Sequence, residues 1–261
     1  MTASAAPSTP LFSVTDGVTT ITLNRPAHRN RLEDADLKAL QGLFTQIDAD
    51  PAIRVVVLTA NTTGQPRPVF CAGYHIGGFD GADGGAPAFE VVADALAALR
   101  PVTICALNGS VYGGATDLVL ACDLRVALEG IEFRMPATAL GLHYYPSGLQ
   151  RYVARLGVSA TKRAFLTARP FTAQMLWNTG CLEALASAAD FDGTVADLVR
   201  DISALAPLAV RETKRSINEI ANGQPDVAAM RARETLTNQS QDFAEGRLAF
   251  QEKRKPVFQG R

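Results

Sequence analysis

Two glycine-rich turns are the places in this sequence where the backbone itself has the means to do chemistry. The first is Cys71-Ala72-Gly73-Tyr74-His75-Ile76; the second is Asn108-Gly109-Ser110-Val111-Tyr112-Gly113-Gly114-Ala115. Each lies at a strand-to-helix junction. Glycine lets backbone come close to a ligand and adopt positive φ. At a helix start the N–H groups point outward with the positive end of the dipole behind them. Two such donors converging on one carbonyl oxygen form an oxyanion hole, in which one donor lowers a barrier by roughly 3 kcal/mol. The same glycines equally suit tight turns with no ligand. Neither turn reads as a Walker loop or a dinucleotide fingerprint.

The candidate side chains are few. Asp117 follows the second turn, where it is either a catalytic or ligand-positioning acid or a favourable charge near a helix start. His143, Tyr144 and Tyr145 cluster in GLHYYPSG. His143 serves as an acid or simply sits at the surface, while the tyrosines suit pocket lining with at most one polar role. His75 fits loop structure or a ligand contact. Arg29 and Arg31 have the charge to meet a ligand phosphate, and Arg31 has a second target in a substrate carboxylate. The run Lys253-Arg254-Lys255 is either a solvated face or a phosphate contact across a subunit boundary.

Composition narrows the class. The 261 residues, 47% apolar and 20% charged, suit a globular protein, and a chain of this size buries roughly three quarters of its unfolded surface. The net charge of −1 gives no reason to expect nucleic acid or an anionic membrane as partner. Four cysteines without a C-x-x-C pair and three histidines make a metal site unexpected. Cys105 and Cys122 sit in apolar runs and read as buried thiols. No run approaches the roughly 18 apolar residues of a membrane span. MTASAAPSTP, residues 1–10, reads as a disordered tail rather than a signal peptide, so the cytoplasm is the expected compartment.

The elements that must position these groups follow from periodicity. Strands are predicted at Leu11–Val14 and Val18–Leu23, joined by an Asp16-Gly17 hairpin. A helix is predicted over Glu33–Asp48 on its Leu37, Leu40, Phe44 and Ile47 stripe. Arg54–Thr59 and Val102–Leu107 read as buried strands. Asp80–Pro87 is expected to be a mobile loop, with a helix after it carrying Phe89, Val92, Leu96 and Leu99. Short strands follow at Leu124–Ala127 and Ile131–Phe133. Beyond about residue 150 helices dominate: Ala160–Thr167, Ala173–Thr179, Val195–Leu205, Leu208–Ala221 and Val227–Glu245. The class is α/β, with an α second half.

Four segments, TITLNRPAHRNRL, FCAGYHI, PVTICALNGSVYGGATDLVLACDLRVA and FAEGRLAFQEKRKPVFQG, resemble successive signatures of the crotonase (enoyl-CoA hydratase/isomerase) superfamily, in the family's order over nearly the whole chain. The resemblance implies a spiral core of ββα units over residues 11–194 and a helical C-terminal part over 195–261 used in assembly as a trimer or dimer of trimers. It implies an acyl-CoA substrate, as in fatty acid metabolism, and no cofactor beyond the coenzyme A that the substrate carries. It places the two oxyanion donors on the N–H groups of Tyr74 and Gly114, next to Gly73 and Gly113, and the adenine end of CoA along the backbone from Ala72 to Ile76.

Departures from that pattern bear on the reaction. Hydratases of the family position water with two glutamates. Here Asp117 replaces the first and Ala137 the second, and an alanine transfers no proton. The GLHYY segment resembles methylmalonyl-CoA decarboxylase, with a tyrosine at position 144. The resemblance therefore implies an enolate enzyme acting on a short acyl-CoA, with decarboxylation of a malonyl-type thioester as one outcome. Hydration or isomerisation through Asp117 with His143, and a catalytically weak acyl-CoA-binding protein, are the alternatives.

Overall fold

The computed structural model describes residues 9–75 and 85–261. Ile76 and residues 1–8 of the expected tail lie outside the described residues. The chain divides into two compact units, Met1–Val195 and Ala196–Arg261.

The first unit is built on two sheets. β1 (Leu11–Thr15) and β2 (Val18–Leu23) form the expected hairpin, in which Asp16 and Gly17 take φ of 50° and 76°. Two successive positive φ values give the turn whose twist matches the strands it joins. α1 (Asp34–Ala49) leads to β3 (Val55–Ala60), which pairs parallel with β2. β4 (Val69–Cys71) starts the second sheet, and α2 (Gly85–Ala98) returns the chain to β5 (Val102–Leu107). β6 (Ser110–Tyr112), α3 (Ala115–Ala121), β7 (Leu124–Leu128) and β8 (Glu132–Arg134) repeat the pattern. α4 (Pro146–Thr167), β9 (Phe171–Thr172), α5 (Ala173–Asn178) and β10 (Ala184–Ala186) complete the spiral. The large sheet has the order β1-β2-β3-β5-β7-β10 and the small one β4-β6-β8-β9. The helices and both sheets enclose one apolar core that includes Ile21, Leu40, Phe70, Leu96, Leu107 and Phe133.

Three expectations change in this unit. Gly85 to Pro87 open α2 rather than extending the loop predicted over 80–87, whose residues 80–84 lie outside the described residues. α4 joins two helical segments: the predicted Ala160–Thr167 lies in the second, while the first was not predicted and is opened by Pro146, which occupies the first helical turn, where its missing N–H costs nothing. A residue with φ of 74°, Gly157, interrupts that helix. The second half is not purely helical, since β9 and β10 are strands too short to show periodicity.

In the second unit, α6 (Phe191–Ser203), which begins in the first, is followed by α7 (Pro207–Ala221), α8 (Val227–Asn238) and α9 (Gln241–Glu252). The single helix predicted over Val227–Glu245 is two, because Ser240 takes extended backbone and its Oγ accepts from the N–H of Phe243, capping α9. All four cysteines are free and buried. No helix among the described residues is long and apolar enough to cross a membrane.

Candidate active site

The site begins where the two glycine turns touch. Gly73 has φ of 98°, and a Cβ placed on it would lie 2.9 Å from the carbonyl oxygen of Tyr112. A Cβ on Gly113 would lie 3.7 Å from the Cα of Gly73. Any side chain at Gly73 would push the turns apart, so glycine sets their approach. Gly114 directly precedes α3, so its N–H belongs to the first-turn donors with no partner within the helix. The Phe89 ring covers Gly114, lying 3.1 Å from where a Cβ would stand, and packs edge-on against the Tyr74 ring at 6.1 Å. The Tyr74 hydroxyl donates to Asp34 at the start of α1; burial and then that carboxylate push the phenol up to about 12.

The first turn is also zipped to the segment carrying Arg29 and Arg31. Ala72 N–H donates to Arg29 O, Leu32 N–H to Gly73 O and His75 N–H to Leu32 O, each at 2.9 Å. The buried Asn30 side chain donates to the carbonyls of Asn61 and Val69, and Cys71 Sγ to Asn30 O. Arg29, Ala72 and His75 are exposed along this edge. Arg31 is half-buried and its guanidinium donates to Glu33 at 2.8 Å.

Asp117 lies one turn into α3 and is fully buried. Arg151 grips both its oxygens, Nε to Oδ1 at 2.9 Å and Nη2 to Oδ2 at 2.6 Å, and Tyr145 donates to Oδ2 at 2.5 Å. Arg151 also donates to Asp94 at 2.5 Å. Burial works to lower the Arg151 pKa, but the two carboxylates outweigh it and hold the guanidinium charged. Asp117 is thus a bound counterion with three donors on it, rather than an open base.

Tyr144 is buried and stacks on Tyr145 with ring centroids 4.1 Å apart; its hydroxyl donates to that of Tyr145 at 2.9 Å. Both phenols are pushed well above their ordinary range by burial first and by Asp117 second, so both stay protonated. Gly148 makes the stack possible, since a Cβ there would lie 2.4 Å from the Tyr144 ring and 2.6 Å from that of Tyr145. The structure therefore brings Tyr144, Tyr145, Asp117, Gly114, Gly113, Gly73 and Tyr74 into one neighbourhood. It leaves His143 exposed, with no hydrogen bond to Asp117 among the described residues, and Ala137 buried.

Sequence reasoning missed Arg151, Asp94, Phe89, Glu90 and Ser147. Ser147 donates to Glu90 at 2.9 Å between α4 and α2. Glu90 and Asp94 lie one turn apart on α2, as Ser147 and Arg151 do on α4, which puts each pair on one helix face but does not say what that face meets. Among the described residues, no cluster of three or more His, Cys, Asp or Glu is placed to hold a metal.

This geometry agrees with what the chain resembles. The enoyl-CoA hydratase/isomerase family matches residues 13–261. The chain belongs to that family. A Bacillus subtilis (strain 168) protein named for enoyl-CoA hydratase/isomerase is 33% identical, over 96% of this chain and 98% of its own length. The mevalonyl-coenzyme A hydratase of Aspergillus fumigatus is 30% identical over 91% of this chain and 90% of its own. The crystal structure of enoyl-CoA hydratase from Bacillus anthracis superposes with a TM-score of 0.85 at 29% identity, covering 97% of this chain and 99% of that one. The fold is that of the crotonase superfamily.

Proposed function

We propose that this family member binds a short acyl-CoA thioester and stabilises its enolate with the N–H groups of Tyr74 and Gly114. The contact between the glycine turns is the observation that carries the reading, because it sets the two donor-bearing turns side by side at the start of α3. The acyl group would lie against the Tyr144–Tyr145 stack, whose bulk favours about two to five carbons. The CoA end would run along Ala72 to His75 and the exposed Arg29.

Loss of carboxylate from a malonyl-type thioester suits this site. It requires an oxyanion hole and a proton for the α-carbon, not two bases. With Asp117 bound to Arg151 and Ala137 apolar, the pair of carboxylates used for hydration is not assembled in the usual place. Hydration remains a second reading because the relatives at 30–33% identity carry hydratase names.

The test is turnover on a mixed panel of enoyl-CoA and malonyl-type CoA esters, with products read by mass spectrometry. Gly114→Pro removes one donor and should lower kcat by about a hundredfold or more. Full activity in the folded variant would end the oxyanion assignment, and CoA binding without turnover on any ester would favour a binding protein. Assembly as a homotrimer or dimer of trimers is part of the proposal. In the second unit Leu205, Ile217 and Ile220 are each at least half exposed. Light scattering at micromolar concentration should give a multiple of three chains; a monomer would contradict it.

A further inference from the structure

Three helices meet at this site, α3 and α4 at their starts and α2 in its second turn. Phe89 of α2 covers Gly114 at the head of α3. Tyr145 immediately precedes α4, and its hydroxyl reaches Asp117. One turn further along each helix, Asp94, Asp117 and Arg151 are bonded together. The residues one turn back from that layer are therefore level with Gly114. On α2 and α4 they are Glu90 and Ser147, which are hydrogen-bonded to each other and both half-buried. Asp94 and Asp117 share Arg151, whereas Glu90 has no cation within ion-pair distance among the described residues. Glu90 Oε1 accepts from Ser147, and neither of its oxygens is bonded to an arginine among the described residues.

We propose that Glu90 is the proton carrier of the site, doing from α2 what Ala137 cannot do, with Ser147 as the positioning residue that fixes its carboxylate. The proposal rests on the enolate reading above and adds the group that completes it. When the substrate carboxylate leaves as CO2, the C–C bond breaks and its electron pair enters the enolate. The Glu90 carboxyl O–H then gives its proton to the α-carbon, and solvent restores that proton. In water addition the Glu90 carboxylate takes a proton from water as the oxygen bonds to the β-carbon. The same proton then passes to the α-carbon as the enolate collapses. One carboxyl serves both outcomes, because each requires a proton delivered to the same carbon.

The experiment measures kcat, KM and the stereochemistry of deuterium at the α-carbon in D2O, on whichever ester of the panel the wild-type protein turns over. Glu90→Gln should lower kcat about a hundredfold or more, the range of general acid–base catalysis, and leave KM within about threefold. Its residual product should carry deuterium on both faces of the α-carbon, where the wild-type product carries it on one. Glu90→Asp should recover part of the rate, and Ser147→Ala should lose severalfold with the stereochemistry partly kept. A merely structural Glu90 would not scramble the label. Glu90→Gln with wild-type rate and stereochemistry overturns the proposal and leaves the enolate reading standing. A wild-type protein that turns over no ester overturns both.

Discussion

Carboxylate–guanidinium pairs occur in both units, and they do different work in each. In the first unit Arg151 holds a fully buried Asp117 through two bonds, with Tyr145 on the same oxygen. In the second, Arg254 meets Glu245 at 2.6 and 2.8 Å and Glu252 at 2.6 Å on a surface open to water. The bonding geometry is alike, but the surroundings differ. Water and salt screen the exposed pairs, so they contribute little to stability. Burial makes the Asp117 pair costly to form and far more costly to halve, because the remaining charge has nowhere to go. A buried pair of this kind is a device for fixing geometry, here the spacing of α2, α3 and α4, more than a source of net stability.

The comparison breaks first at Arg151. Arg151→Met leaves Asp117 buried and unpaired, which should cost about 3–5 kcal/mol. Thermal unfolding would read this as a large drop in Tm. A drop no larger than that of an exposed pair would mean that water reaches Asp117. Gly148→Ala sharpens the same point by sterics. Its methyl would enter the space of both tyrosine rings, so a loss of about 1–3 kcal/mol is expected, with Tyr145 moved off Asp117.

The smallest effect belongs to Arg254→Met. Arg254, followed by the Val257 N–H, holds the Glu245 carboxyl down to about 2 from its ordinary 4.5. A depressed folded-state pKa contributes stability that is present above pH 4.5 and lost as pH falls toward 2. Wild type and Arg254→Met should therefore differ slightly at neutral pH and converge on acidification between those values. A difference that survives at pH 2 would assign Arg254 some other role.

What the sequence made legible follows the same division between local and distant causes. Val18–Leu23 and Val102–Leu107 appear as strands at the predicted residues, because β-branched runs bounded by turns carry their own signal. The Asp16-Gly17 turn was equally local. The first half of α4 was hidden by Pro146 and Gly148, residues that suggest a loop when read along the chain. In fact Pro146 opens the helix and Gly148 receives two aromatic rings. The break at Ser240 was hidden because apolar positions continue across it in near-helical phase.

At the site, the two glycine-rich turns were legible as turns, from Gly73, Gly113 and Gly114. The Arg151–Asp117 bond was not, since it joins residues on different helices and no spacing encodes it. Asp117 was read as a base or a helix-start charge, and the arginine that meets both its oxygens lies on α4, where neither reading looks. Glu90 was missed for the opposite reason, because a glutamate on an amphipathic helix looks like part of a solvated face until Ser147 meets it.

The order of the large sheet has a consequence for how the chain is made. Its strands lie side by side in the order in which they are synthesised, β1-β2-β3-β5-β7-β10. A nascent chain can therefore add each strand to an edge already formed, without waiting for a distant partner to be translated. The weakest moment comes late. After β7 is laid down, its open edge must wait through all of α4 and α5 before Ala184–Ala186 arrive to pair with Val126–Leu128. Through that interval the unpaired edge invites pairing with other chains. Lesions that slow the pairing of β10 should then appear as aggregation during synthesis rather than as a less stable finished protein.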